Sequence, residues 1–381
     1  MTGAAILGVA QAGLGHAGGR TDQEIIALAA VEAVNKSGLK MSEVDGLITS
    51  SLTSPWWALR TAEYLGVRPR FTETTMFGGS SFVIDLLTAR RAIAAGECNH
   101  VLITYGDTPR SAPSSSEINR MRALLDPQVY EHPYKPFNPV TSYALAAARH
   151  MHQFGTTREQ LAAVAVAARD WARLNPEAFA RDPLSIEDVL ASPLVSDPLT
   201  VRDCCLVTDG AAAFVVTSSE RATDLHDSPI DVLGVGHAHW HRQISSMPDL
   251  TVTAATESGT TAFREAGVTP ADIDILELYD AFTINPILFL EDLGFCAKGE
   301  GGAFVENGRL GPGGSLPTNT NGGGLSFGHA GMYSAFLIVE AACQLRGEAD
   351  VRQVADAELA LVHGNGGVLS SQATAILSRR R

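Results

Sequence analysis

The chain opens with an unbroken apolar run, Ala4-Ala-Ile-Leu-Gly-Val-Ala10, which predicts a buried first β-strand. Polar Thr21-Asp-Gln-Glu24 follows in a capping-box pattern, and apolar positions then recur at helical spacing to about Lys36. Ser37-Gly38 stops that helix, and Val44-Asp-Gly-Leu-Ile48 reads as a second buried strand. The same phrase returns after a helix expected over Thr251–Ala266, as Gly267-Val-Thr-Pro-Ala-Asp-Ile-Asp-Ile-Leu-Glu-Leu278. Setting Gly38 on Gly267 brings Asp45 onto Asp274 and Leu47 onto Leu276.

A second correspondence lies further along each half. Met76-Phe-Gly-Gly-Ser-Ser81 leads into an apolar helix ending at Ala95-Gly96-Glu97, and a strand follows from Val101 to Gly106. Asn321-Gly-Gly-Gly-Leu-Ser-Phe-Gly-His329-Ala-Gly331 leads into one ending at Leu345-Arg-Gly-Glu348, with a strand from Leu359 to Gly364. Superposing the Gly-Glu ends sets His329 opposite Gly78. Two correspondences in the same order predict a duplicated α/β core. Asp209-Gly-Ala-Ala-Ala-Phe-Val-Val-Thr217 reads as the last strand of the first half. Between them the pattern changes: Pro127 to Pro139 is Pro-rich, and helices are expected over Ser142–Phe154 and Arg158–Asn175. This stretch reads as an insertion lying over the core. The expected division is 1–107 with 198–225, an inserted loop domain 108–197, and a second half 226–381.

Composition narrows the function classes. With 381 residues and 45% hydrophobic residues the chain can bury a large core. A net charge of −14 argues against a nucleic-acid partner, because phosphate binding needs a positive face. No segment reads as a membrane span or leader, so a cytoplasmic protein is expected. The five cysteines show no CxxC pairing, so neither structural disulfides nor a metal site is expected.

Four places could carry chemistry. His329 stands among glycines before a helix, where free N–H groups and the helix dipole favour anions; it is either held by a backbone carbonyl or faces a ligand. Val362-His363-Gly-Asn-Gly-Gly367 delivers an imidazole at a strand end, for packing or for a substrate. Tyr279, in Glu277-Leu-Tyr-Asp-Ala-Phe282, is core or acid/base. Ser80 and Ser81, in Gly78-Gly-Ser-Ser81, either cap the helix or touch substrate, and neither has an evident activating base.

End to end, the chain resembles the thiolase superfamily, above all the sterol-carrier-protein-type thiolases and their degenerate relatives. The resemblance rests on Thr208-Asp-Gly-Ala-Ala-Ala, Glu277-Leu-Tyr-Asp-Ala-Phe, Gly328-His329, Leu345-Arg-Gly and Gly364-Asn-Gly-Gly. It implies a duplicated thiolase fold, five-layer α-β-α-β-α with an inserted loop domain, a pantetheine tunnel and a tight homodimer. Thiolases carry an acyl-accepting cysteine in the first loop; counting back from Gly96 puts that position at Gly79, and no cysteine is near. The family's Asn-Glu-Ala-Phe is here Tyr279-Asp-Ala-Phe, and its second cysteine corresponds to His363. The cysteine-lacking thiolase-like aldolases of steroid side-chain degradation resemble this chain in the missing cysteine, the Leu278–Thr283 phrase and the run Glu291 to Glu300, and differ from it at the thiolase-like His329 and at His363. Those relatives work with a small OB-fold partner in a heterotetramer.

Covalent acyl transfer needs an activated thiolate, which glycine cannot supply. The expected activity is therefore retro-aldol cleavage of a β-hydroxyacyl-CoA to a ketone or aldehyde and a shorter acyl-CoA, with no cofactor beyond the CoA thioester. Tyr279 would take the β-hydroxyl proton, its pKa lowered by a nearby imidazolium or an oriented dipole. His329 would polarise the thioester carbonyl, and His363 would return a proton or tune Tyr279. Substrate contacts are expected at Gly79, Ser80, Ser81, Gly331, Asn365 and Gly366. The alternatives are thiolase-type acyl transfer and a non-catalytic acyl-CoA-binding subunit.

Overall fold

A computed structural model describes residues 3–51, 54–112 and 129–379. The first half contributes β1 (Ala4–Gly15), α1 (Asp22–Lys36), β2 (Gly46–Thr49), α2 (Trp57–Leu65), β3 (Phe71–Glu73), α3 (Ser81–Ala94) and β4 (Val101–Asp107). The inserted stretch contributes α4 (Val140–Phe154), α5 (Arg158–Leu174), α6 (Ile186–Leu190) and a small hairpin, β5 (Leu194–Ser196) and β6 (Leu199–Thr200). Then come β7 (Asp209–Ser218), α7 (Ser219–Leu225), β8 (Ile230–His239), α8 (Ala255–Ala266), β9 (Ile275–Leu278), α9 (Ile284–Asp292), α10 (Gly301–Phe304), α11 (Ser334–Arg346), β10 (Leu359–Gly366) and β11 (Ser371–Arg379). The start of the Pro127–Pro139 stretch lies outside the described residues.

Strand order is β3-β2-β4-β7-β1-β8-β11-β10-β9. Read outward from β1 and β8, the two sides repeat. β2 is parallel to β4 and β9 to β10, whereas β4–β7, β7–β1, β10–β11 and β11–β8 are antiparallel. A lone parallel bridge from Leu276 to Thr318 stands where β3 stands in the first half. The halves meet through three residue pairs of β1 and β8, Ala4–Ile6 against Ile230–Val232.

Helix placement makes five layers. α1 covers β1, β4 and β7 on one outer face, and α8 covers β8 and β11 on the other. Between the two sheet halves lie α3 and α11, which touch each other; α3 reaches β7, β8, β10 and β11, and α11 reaches β1, β7, β9 and β10. Both are buried almost all round, as their continuous apolar sequences require.

The repeated phrases have one structural job each. Thr21 caps α1 through the expected box with Glu24. Gly38 and Gly267 take the left-handed conformation at φ +71° and +72°, which ends each helix without a Cβ penalty. Asp45 accepts the N–H groups of Asn99 and His100, and Asp274 those of Glu358 and Leu359. Each aspartate thus fastens the incoming end of the parallel neighbour.

Candidate active site

The N-termini of α3 and α11 converge, and the end of β9 delivers Tyr279 between them. Its hydroxyl lies 3.0 Å from His329 Nε2 and donates to Gly331 O at 2.8 Å. Both bonds are satisfied together when His329 Nε2–H donates to the phenol oxygen and the phenol donates to Gly331. Tyr333 stacks on the His329 ring (5.9 Å between centroids, 25°) and meets Tyr279 edge-on. Tyr105 of β4 donates to Ala330 O and accepts from Met332 N, which fixes the carbonyl between them.

Gly79 stands directly under Tyr279. A Cβ there would fall 2.1 Å from Tyr279 Cε2 and 2.5 Å from Asn365 O. The tyrosine ring therefore fills the space that a side chain at the first loop would take. Gly366 is as tightly constrained, since its Cβ would meet Phe77 O at 1.6 Å. Ser80 and Ser81 are fully buried and engaged within the protein. Ser80 Oγ contacts Ser371 Oγ at 2.6 Å and donates to Phe77 O, while Ser81 Oγ accepts from Phe77 N. Both hydroxyls are thus spent on bonds within the protein, which is the helix-capping and packing alternative for them.

His363 does not join the pair. Strand side chains alternate faces. Gly364 faces Gly79 and Ser334 of the central layer, so His363 faces the outer one. Its ring is fully buried against Phe289, with Nδ1 at 2.9 Å from Thr374 Oγ1 and Nε2 at 2.9 Å from Gln372 Oε1. Burial pushes it down to about 3, so it is a neutral structural group at neutral pH. Asn365, on the same face, accepts from Gln372 and donates to the Tyr143 hydroxyl at 2.8 Å.

Electrostatics also correct the expected base. Burial raises the Tyr279 phenol well above 10, and it lowers His329 to about 4. No imidazolium stands beside the tyrosine; the resting pair is a neutral phenol on a neutral imidazole.

Several supporting residues, some of them within the phrases that carry the family resemblance, are not singled out as site residues by the sequence. Asp280 is fully buried and accepts the N–H groups of Gly324 (2.6 Å) and Leu325, holding the glycine-rich turn 323–327 that leads to His329. Burial raises its pKa to about 6 against the pull of those bonds. Arg169 of α5 donates to Ser326 Oγ from the other side. Thr208 accepts His329 N at 2.8 Å, and Asp209 accepts from Ala17, Arg110 and Ser111 N–H groups. The Thr208-Asp209 pair thus anchors three loops around the site.

Residues 236–379 match the thiolase C-terminal domain-like family model. The acetyl-CoA acetyltransferase of Methanothermobacter thermautotrophicus is 31% identical, with all of both chains covered. The 17-hydroxy-3-oxo-4-pregnene-20-carboxyl-CoA lyase of Mycobacterium tuberculosis is 32% identical over 97% of each chain. Among solved structures, the Ltp2-ChsH2(DUF35) aldolase superposes with a TM-score of 0.89 at 31% identity, covering 100% of this chain and 98% of that one. With full-length relatives above 30% identity, and a tyrosine packed over the glycine at the first loop, this chain belongs to the thiolase superfamily, as a carbon–carbon lyase of its thiolase-like aldolases.

Proposed function

We propose that the substrate is a β-hydroxyacyl-CoA, of which a steroid side-chain CoA ester is one candidate, and that Tyr279 and His329 are the reacting pair. The observation that carries this reading is the Tyr279 ring lying over Gly79 with its hydroxyl on His329. In the cleaving geometry the neutral imidazole carries its proton on Nδ1, and the phenol turns its own proton from Gly331 O to the free His329 Nε2. The substrate's β-hydroxyl gives its proton to the phenol oxygen as the phenol proton passes to the imidazole. The Cα–Cβ electron pair moves into the thioester, forming an enolate, and the β-carbon becomes a ketone or aldehyde carbonyl. The imidazolium then returns its proton through Tyr279 to the α-carbon. The positive end of α3, at Gly78–Ser81, stabilises the enolate oxygen. No cofactor beyond the CoA thioester enters these steps.

Assembly with a second copy and with a small OB-fold partner, as a heterotetramer, belongs to this reading. Two features support it: the name of the two-component aldolase above, and exposed Trp56, Leu59, Tyr64, Met76 and Phe77 beside edge strand β3. No helix among the described residues is long and apolar enough to cross a membrane.

Tyr279→Phe keeps the packing over Gly79 and removes the proton path. Cleavage of a β-hydroxyacyl-CoA should fall by about 100-fold or more. Near-normal turnover would remove Tyr279 from the mechanism. Incubation with acyl-CoA should leave no adduct in intact-mass analysis; one on Ser80 or Ser81 would favour acyl transfer.

A further inference from the structure

Asn285 is fully buried in the first turn of α9, and neither its amide nitrogen nor its oxygen has a hydrogen-bond partner. A buried amide left without partners destabilises a fold, so its presence asks for a ligand. Asp85 of α3 is also buried without partners, but it lies beside Thr75 and Glu73, away from the reacting pair. Asn285 follows the Tyr279 segment, at the start of α9. Its N–H donates to Phe282 O at 3.0 Å, three residues back, so both side chains share one side of the turn. On that side the Tyr143 ring stacks on Phe282 at 4.3 Å, and its hydroxyl comes beside the Asn285 amide. Cys205, partly exposed, hydrogen-bonds its N–H to Ala281 O, next to Phe282.

The Tyr143 hydroxyl is itself fixed. It accepts from Asn365 Nδ2 at 2.8 Å and donates to Gly367 O at 3.2 Å. Behind Asn365 the bonds run one way. Gln372 Nε2 donates to Asn365 Oδ1, so Gln372 Oε1 accepts from His363 Nε2–H, and His363 Nδ1 accepts from Thr374. This buried chain holds Tyr143 still while leaving Asn285 with a donor and an acceptor to offer.

We propose that Asn285 is a subsite for the uncharged β-oxygen of the acyl chain, held by the amide N–H, with Tyr143 as its positioning residue. This rests on the aldolase reading above. The β-oxygen accepts from Nδ2 both as the hydroxyl and as the carbonyl it becomes, which leaves the hydroxyl proton for Tyr279.

The test is equilibrium titration of a 3-hydroxyacyl-CoA and the saturated acyl-CoA of equal length, beside thermal denaturation. Wild type should prefer the hydroxyacyl ester by about tenfold or more, since a site built to bond a hydroxyl rejects the analogue lacking it. Asn285→Leu should bring that preference within about twofold, with the thermal midpoint unchanged or raised because an unpaired amide is gone. Asn285→Ser, expected to weaken the preference likewise, serves if the leucine variant does not fold. A preference that survives substitution, or is absent in wild type, overturns the subsite. Wild type that discriminates in binding but does not cleave sinks the aldolase reading and leaves the subsite standing. Wild type that cleaves while Asn285→Leu still discriminates does the reverse.

Discussion

Adding one methyl group at Gly79 tests whether Tyr279 holds the space of the first loop. The added carbon would stand 2.1 Å from Tyr279 Cε2, 2.4 Å from Cζ and 2.5 Å from Asn365 O. Non-bonded carbons settle about 3.5–4.0 Å apart, so the ring must retreat by about 1.4 Å or more. The Asn365 carbonyl belongs to β10 and cannot yield. The Tyr279 hydroxyl starts 3.0 Å from His329, and a retreat of that size takes it out of hydrogen-bond range. Overpacking of this kind costs about 1–3 kcal/mol, and a misplacement near 1 Å costs about 100-fold in rate. Gly79→Ala should therefore lower both the thermal midpoint and the cleavage rate of a β-hydroxyacyl-CoA. Gly79 is not in the left-handed region, so the loss is steric. Combining it with Tyr279→Ala makes room, and the stability losses should fall short of their sum by about 1–3 kcal/mol. A Gly79→Ala protein with wild-type midpoint and turnover, or strict additivity in the double variant, would refute the reasoning.

Burial holds His329 near 4 and His363 near 3, below the usual 6.5. Between pH 6.5 and about 4 the unfolded chain takes up protons that the folded chain refuses; this stability is present above 6.5 and lost as pH falls. His363→Gln should remove about one proton from the slope of unfolding free energy against pH there. It should change the cleavage rate by less than about tenfold; a loss as large as that of Tyr279→Phe would return His363 to the reacting set. Asp280 runs the other way: with its pKa raised to about 6, its contribution is full below 3.8 and lost as pH rises through 6. Two units correspond to on the order of 3 kcal/mol. Asp280→Asn should abolish that rise in denaturant titrations between pH 7 and 4, and an unchanged curve would refute the assignment. Asp209→Ala should lower the thermal midpoint and loosen residues 16–18 and 110–111 in hydrogen exchange, because their N–H groups lose a shared acceptor.

The duplication was readable because Gly38/Gly267 and Asp45/Asp274 perform backbone tasks that few other residues can perform. Those tasks recur wherever a helix ends and a parallel strand begins. His329 and Tyr279 were readable too, each by its place at an element end. His363 was misread for a physical reason: on a strand flanked by Val362 and Gly364, the face is set by register with Thr374, which the local sequence does not encode. Tyr143 was invisible among the alanines of α4, where it looks like core. The overlap of Gly79 with Tyr279 joins residues from opposite halves, and only packing reveals it.

Strand β1 occupies the middle of the sheet, yet it precedes every other strand of that sheet in the chain. Its partners are Asp209–Ser218 and Ile230–Val232, about 200 residues later in the chain. During translation this apolar strand waits, with both ladder edges open, until both partner strands have emerged. Chains with such distant pairings fold slowly and expose aggregation-prone edges meanwhile. Yield in expression should therefore depend on chaperone supply and on growth temperature more than on the stability of the finished fold.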